Sequence, residues 1–430
     1  MRYTTWLKAA VAALALAPTA YSFCGFYVAQ EPGSLFNKSS KVVLVRDGDR
    51  TVITMANDYQ GDPSEFGLVV PVPQEIEPEM VKIAERSIID KLDQYSVPRL
   101  AEYFDPDPCP PRMREERKTM SMAPMSAPPP TMAVADAADR DFGVTVEKAF
   151  SLEEYDITII RAKGGDGLEQ WLRKEGYRIP DGATDVLESY VRQDMHFFLA
   201  KIDLRAQEKL GVKWPRPLRV EYHSRKFMLP IRLGTVNADG AQDLLVFALS
   251  PQARVETTNY RAARMPTDLE VPEYLSDGGN FATFYTAMFD RRVRRDDMRA
   301  VYLEYAWPMQ VVCDPCAGDQ LTGAELQALG ANWAQDYHGG MSGGFLTRLH
   351  VRYDRRHFPE DLVFQETADA APWQARYVVN HAWRGNTNCA EGRRYLQQLA
   401  ARQTREVTTL HELTGWSSED IQRFVPGRGR

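Results

Sequence analysis

The sequence predicts an α+β protein: mixed, largely antiparallel sheet elements, packed helices and one long disordered insertion rich in Met, Pro and Ala. Three observations predict this class. Two strand-like runs, Lys41 to Val45 and Thr51 to Ala56, flank Asp47-Gly48-Asp49-Arg50, and Asp-Gly between apolar runs is a strong hairpin signal. Later strand and helix patterns mix without strict βαβ alternation, which argues against a doubly wound sheet. Between these parts, Thr119 to Ala138 is Met, Ala, Pro and Ser with almost no bulk to bury, including Pro128-Pro129-Pro130. Such a composition cannot offset the entropy of ordering.

The hairpin feeds the stretch Asn57 to Pro73, NDYQGDPSEFGLVVPVP. Gly61-Asp62-Pro63 turns the chain, because Pro presets φ and Gly tolerates positive φ. Phe66 to Val70 then reads as a buried strand, stopped by Pro71 and Pro73, which lack ladder donors. Pro78 to Gln94 follows at helical spacing, and Ser96 to Phe104 reads as a shorter second helix. Asp105 to Pro111 (DPDPCPP) is stiff and non-helical.

Order resumes at Phe142. Strands are expected at Tyr155 to Ala162, His196 to Leu204, Leu218 to His223, Phe227 to Leu233, Leu244 to Leu249, Ala300 to Tyr305 and Phe345 to Tyr353. Helices are expected at Leu168 to Glu175, Thr184 to Gln193, Phe281 to Arg294 and Glu325 to Leu329, with Thr322 and Glu325 forming a capping box. The tail reads as helix from about Glu391 to Leu399 and again at Ser418 to Phe424. The organisation expected is an N-terminal unit at 23–110, a linker at 111–141 and a larger unit at 142–430. The two units can share one core, because a hairpin and one strand do not stand alone easily.

The N-terminus has the pattern of a secretory signal peptide. Arg2 and Lys8 form a basic start, Ala9 to Ala17 is unbroken apolar, and Ala20-Tyr21-Ser22 offers a small-x-small cleavage site; the run is too short to span a bilayer. Phe23 precedes Cys24, where a lipoprotein needs a small residue. No later segment is long and apolar enough to span. Removing residues 1–22, which hold Arg2 and Lys8 and no acids, takes the net charge from −7 to −9. An acidic mature chain is a poor nucleic-acid binder, and Arg291-Arg292-Val293-Arg294-Arg295, followed by Asp296-Asp297, reads as a solvated helix face.

Export permits disulfides. Cys24, Cys109, Cys313, Cys316 and Cys389 are all candidates, their connectivity is open, and the odd count leaves at least one thiol free or paired between chains.

Several motifs occur here in order: Cys24-Gly25-Phe26, GDPSEFGLVVPVP (Gly61 to Pro73), Pro230-Ile231-Arg232-Leu233, Cys313-Asp314-Pro315-Cys316 and LTRLHVRYDRRHFPEDLVF (Leu346 to Phe364). Together they resemble the secreted bacterial domain-of-unknown-function family twenty-three-thirty over most of the mature chain. The resemblance implies an exported bacterial protein with no assigned activity, and it carries no catalytic residues over.

Cys313-Asp314-Pro315-Cys316 is the sharpest chemical signal. A Cys-x-Pro-Cys pair can cycle between dithiol and disulfide when the first thiol sits at a helix N-terminus. Here the next helix begins only near Thr322, and Asp314 raises a neighbouring thiol; a structural disulfide is the favoured reading and redox chemistry at Cys313 and Cys316 the alternative. Metal binding would need two more ligands. Gly340-Met341-Ser342-Gly343-Gly344 matches a nucleophile elbow but lacks the strand before and the helix after. Gly164-Gly165-Asp166-Gly167 could cradle a phosphate, yet Asp166 opposes an anion and a plain strand-to-helix turn is favoured. Met113, Met120, Met122, Met125 and Met132 are spaced irregularly without His, so the insertion reads as low complexity before it reads as a Cu(I) tract. The seven histidines show no metal-ligand spacing, and Glu153-Glu154 and Asp296-Asp297 are not placed as catalytic pairs.

The expectation is therefore a periplasmic or secreted protein with a non-enzymatic binding or structural role, an unidentified envelope or extracellular partner, and no cofactor or metal. A thiol–disulfide oxidoreductase using Cys313 and Cys316 is the alternative, and a hydrolase on Ser342 comes third.

Overall fold

The computed structural model describes residues 26–29, 36–60, 66–109 and 142–421, apart from 176, 178, 180–181, 212–214, 237, 239, 312–314, 316–317, 337–342 and 420, with backbone only at 26–29, 36–39, 57–60, 66 and 204. The insertion expected at 111–141, the N-terminal leader and residues 422–430 lie outside the described residues.

After a short strand β1 (Phe26–Ala29), the predicted hairpin forms from β2 (Phe36–Asp47) and β3 (Arg50–Gln60). Asp47 pairs with Arg50, leaving Gly48-Asp49 as the turn, and Gly48 takes φ 60°, the positive value a two-residue hairpin needs at this position. β4 (Phe66–Val72) runs straight through Pro71, where a stop was expected. Among the described residues β1 pairs β4 only as far as Val69, so none of them needs a ladder donor from Pro71 on that edge.

The expected helix at Pro78 to Gln94 begins later. A single 3-10 turn, Pro78–Met80, leads to strand β5 (Val81–Ile83), and helix α1 spans Arg86–Ser96. The β-branched Val81 and Ile83 are drawn into pairing with a distant strand. The second helix expected at Ser96 to Phe104 is instead strand β6 (Arg99–Phe104). Pro98 disfavours helix at Val97, and the strand's partner is almost 280 residues away.

Beyond the insertion come β7 (Val144–Leu152), β8 (Tyr155–Ala162), α2 (Gly165–Lys174), α3 (Ala183–Val191), β9 (His196–Ile202), α4 (Leu204–Leu210), β10 (Leu218–His223), β11 (Met228–Leu229) and β12 (Gln242–Ser250). The strand expected at Phe227 to Leu233 shrinks to two residues, because Pro230 lacks a ladder donor and the chain enters a 3-10 turn at Leu233–Thr235. Then follow β13 (Val255–Thr257), β14 (Arg261–Arg264), β15 (Leu269–Glu270), α5 (Asn280–Arg295), β16 (Ala300–Pro308), α6 (Gly323–Ala328), β17 (Phe345–Tyr353), β18 (Leu362–Glu366), β19 (Trp373–Gln374), β20 (Arg376–His381) and α7 (Ala390–Thr414). The capping box of Thr322 and Glu325 forms as expected. α7 runs on past Leu399, where an end was expected. Nothing breaks it before Gly415, which takes φ 78° as its C-cap.

The architecture is α+β in four layers. A five-stranded antiparallel sheet, β1-β4-β9-β8-β7, faces a nine-stranded mixed sheet, β14-β16-β17-β12-β2-β3-β10-β5 with β19 beside β16. Strands from both sides of the insertion lie within each sheet. Between the sheets is the main core, where Leu68, Val70, Ile157 and Phe198 meet Val42, Ile53, Val220 and Val246. The other face of the five-stranded sheet packs Phe197 and Leu199 against Leu168, Leu187 and Tyr190 of α2 and α3. The outer face of the nine-stranded sheet carries two apolar patches. Val43, Phe247 and Leu346 lie under α1 and α6, and Ala300 and Tyr302 lie under α5. A three-stranded sheet, β15-β20-β6, joins the second patch to α7.

Candidate functional site

The end of the inter-sheet core opens as a cavity of about 250 Å³. Pro71 and Pro73 close β4 on one side, Met195 precedes β9, and Tyr222, Ser224, Lys226, Met228 and Pro230 come from the segment through β10 and β11. Two stretches singled out in the sequence, Gly61 to Pro73 and Pro230 to Leu233, thus converge on one cavity. Its proline and methionine walls carry no strong donors, and Gln193, Tyr222, Ser224 and Lys226 supply its polar groups.

Tyr222 follows the alternation of β10, in which Leu218, Val220 and Tyr222 all enter the inter-sheet core. Its residue is only 4% exposed, and its hydroxyl has no hydrogen-bond partner among the described residues. The hydroxyl itself is not sealed in the core but is reached from the cavity. Burial pushes its ionisation well above the usual phenol range, so it stands as a neutral donor. Behind this wall lies Arg46, buried, donating to the Thr51 hydroxyl (2.6 Å) and to the carbonyls of Ser224 (2.9 Å) and Asp49 (3.2 Å). None of these partners is charged; Glu366 and Asp49 act on Arg46 through longer-range attraction. At the mouth, exposed Lys226 donates to the Gln193 side chain at 3.0 Å.

The strongest electrostatics lie elsewhere, in the seam between the two apolar patches under the helices. The ladder between β16 and β17 shifts register between Leu303 and Tyr305. The intervening Glu304 therefore turns to the outer face together with Tyr305, as a β-bulge allows. There Glu304 accepts from Arg348 Nε (2.6 Å), contacts His350 Nδ1 (2.8 Å) and accepts from the Tyr285 hydroxyl (2.5 Å). Asp243 binds Arg352 in a fork (2.8 and 2.7 Å), and Arg352 also donates to Asp290 (2.6 Å). Arg348 donates to Asp93, which also pairs with Lys41 at 2.8 Å. Phe289 stacks on His350 at 3.8 Å between centroids. Burial alone would raise both acids, but the neighbouring His350 and Arg charges and hydrogen bonds outweigh it and hold Glu304 and Asp243 at about 2. Burial likewise opposes a charged His350, and the same carboxylates lift it to about 9. Every member has a charged partner, so the array reads as a clamp joining α1 and α5 to the sheet.

Among the cysteine candidates, Cys109 and Cys389 are bonded to one another across 280 residues, tying the chain after β6 to the N-terminus of α7. Cys24, Cys313 and Cys316 lie outside the described residues, as do Ser342 and His338. After Ser342 the chain enters β17 at Phe345, a strand where a nucleophile elbow needs a helix. The glycines at 164–167 do open a helix, but Glu188 accepts the Gly165 amide at 2.7 Å, so the chain's own carboxylate occupies the place an anion would take. Glu153 and Glu154 both reach Arg216, at 2.8 and 2.6 Å. Adjacent side chains on a regular strand point apart; Glu153, at φ 55° in the turn between β7 and β8, lets them converge. Six histidines pair with acids or a carbonyl. No three His, Cys, Asp or Glu groups are disposed to hold a metal among the described residues.

Sequence reasoning missed Tyr222, Lys226, Arg46 and Glu304. Tyr222 alternates like any core residue, and nothing local reports that its hydroxyl lacks a partner. The bulge at Glu304 has no sequence marker.

No helix among the described residues is long and apolar enough to cross a membrane. No curated protein and no solved structure matches the chain. A family described as an uncharacterized protein conserved in bacteria (DUF2330) matches residues 18–365, which include the cavity and the buried charge array but not β20 or α7. With most of its length matched, the chain belongs to that family.

Proposed function

We propose that the protein is exported to the bacterial envelope or beyond and there acts by binding rather than catalysis, through the cavity at Tyr222. The observation that carries the binding reading is the buried Tyr222 phenol, a wall of the cavity, whose donor has no partner among the described residues. The hydroxyl is reached from the cavity rather than sealed in the core, so it is free to donate to a ligand or water there. Export is supported by the basic, then apolar, then small-residue pattern of residues 1–22 and by the Cys109–Cys389 bond, which persists in oxidising compartments.

Expression of the full chain in a Gram-negative host, followed by fractionation and non-reducing peptide mapping, tests export. The expected result is a chain shortened by about 22 residues in the periplasmic fraction with Cys109 bonded to Cys389. A full-length cytoplasmic chain with alkylatable Cys109 overturns it.

Thiol–disulfide exchange at Cys313 and Cys316 is the second reading. It draws on Arg99, a buried cation that donates to the Pro315 carbonyl within that motif at 2.9 Å and to the carbonyls of Tyr95 and Val97. A cation near a thiol favours the thiolate. Rapid alkylation of Cys313 near neutral pH, with a pair reducible at oxidoreductase potentials, would put this reading first.

A further inference from the structure

We infer that the ligand of the Tyr222 cavity is a small organic acid with an apolar body, its carboxylate held between the Tyr222 hydroxyl and the Lys226 ammonium. This rests on the reading of that cavity as a binding site.

Three observations give the ligand its chemistry. The first is the wall. Pro71, Met195, Met228 and Pro230 offer apolar surface without strong donors, and methionine adapts to an irregular apolar shape. A body that demands many hydrogen bonds would leave its own groups unsatisfied there.

The second is the pair of donors. Tyr222 supplies a neutral O–H, and Lys226 supplies an ammonium of which one hydrogen is engaged by Gln193, leaving others for a ligand. Both lie in one five-residue segment, on opposite sides of Ser224, whose hydroxyl accepts the Lys226 amide at 3.1 Å and fixes the turn between them. A carboxylate has two acceptor oxygens and no donor, which matches one O–H and one N–H donor.

The third is the charge behind the wall. Arg46 is buried, forms no ion pair among the described residues, and donates to the carbonyl of Ser224, itself a lining residue. A buried cation with only neutral hydrogen-bond partners favours an anion nearby. Glu366 and Asp49 temper this field from further away, and Asp49 is itself engaged by His223 at 3.2 Å.

Size sets the class. A cavity of about 250 Å³ lies just below the usual range of ligand-site volumes, which favours a small ligand such as a short-chain acid.

The test uses the mature full chain labelled with 13C at its methionine methyls. Met195 and Met228 are assigned by Met195→Leu and Met228→Leu. Hexanoate is titrated against hexanamide, which has the same body and no charge. Hexanoate is expected to shift both methyl signals saturably and to bind about ten-fold more tightly than hexanamide, the scale of one charge-assisted hydrogen bond. Lys226→Gln, at an exposed position, should remove that preference by weakening hexanoate more than hexanamide. Tyr222→Phe, which keeps the packing, should weaken hexanoate by about ten-fold. Equal binding of hexanoate and hexanamide overturns the acid as ligand class but leaves the cavity as a binding site. Absence of any shift at Met195 and Met228 with either probe overturns the binding site itself.

Discussion

Glu304 and His350 meet at 2.8 Å on neighbouring strands because a bulge turns Glu304 to the helix-covered face of the sheet. Leu303, one residue earlier, belongs to the inter-sheet core, and Tyr305, one residue later, packs under α1 and α6. Without the bulge Glu304 and Tyr305 would point to opposite faces. The bulge puts a carboxylate where both Arg348 and His350 can reach it.

Glu304→Gln should therefore be among the most damaging single changes in this chain. The side chain is 1% exposed, and its loss leaves Arg348 and His350 buried with incomplete charge compensation. Breaking one partner of a buried pair costs about 3–5 kcal/mol. Urea denaturation monitored by tryptophan fluorescence should show that loss, and a change under about 1 kcal/mol would mean that the array contributes little.

The same array fixes a pH profile. Glu304 and Asp243 are depressed to about 2, so their contribution is present above their ordinary range near 4 and is lost as pH falls towards about 2. His350 is raised from 6.5 to about 9, so its contribution is full below pH 6.5 and is lost as pH rises through about 9. Stability from the array should be greatest between about pH 5 and 6.5. His350→Gln should flatten the alkaline limb of Tm against pH and also make the acid limb shallower, because His350 is the largest influence lowering Glu304 and Asp243.

Tyr222→Phe should separate stability from binding. The hydroxyl has no partner to lose among the described residues, so the apo protein's stability should stay within about 0.5 kcal/mol of wild type or rise. Thermal unfolding of the apo variant measures this. A loss of 2 kcal/mol or more, on the same scale, would reveal a protein partner for the phenol.

Reducing the Cys109–Cys389 bond should act on α7 first. The bond closes a loop of 280 residues, for which chain entropy gives about 5–6 kcal/mol, while measured effects run about 0–5. Cys109→Ala/Cys389→Ala should lower Tm and speed hydrogen exchange in the first turns of α7, where residues 393–401 are mostly exposed and the remaining ties include the bonds of Tyr395 and Arg402 to Asp105.

Asp361 should matter for a reason its sequence position hides. Its carboxylate accepts the Ile231 amide (2.9 Å), the Arg232 amide (3.2 Å) and the Tyr190 hydroxyl (2.6 Å), tying the PIRL stretch beside the cavity to the PEDL stretch. Asp361→Ala leaves several buried donors unsatisfied, at about 1–3 kcal/mol each. Denaturant titration should show a loss above about 2 kcal/mol, and a smaller loss would mean that water takes the carboxylate's place.

The sequence by itself determined what depends on near neighbours. The Asp-Gly turn set the hairpin, and period-2 alternation in Leu218 to His223 and Phe345 to Tyr353 set two strands and their faces. Helical spacing and the Thr322–Glu325 box set the helices. Tertiary structure decided which face each polar side chain would meet. Alternation in LTRLHVRY marks Arg348, His350 and Arg352 as one face but cannot say that α1 and α5 cover it, because that depends on residues 50 to 250 positions away. Ser96 to Phe104 became a strand because β20 supplied a ladder, and a β-strand is stabilised by partners that local spacing does not contain. The cavity at Tyr222 is assembled from β4, the residues before β9 and the segment through β10 and β11. A hydroxyl without a partner is defined by what the rest of the chain fails to bring to it, and no pattern along the sequence encodes that.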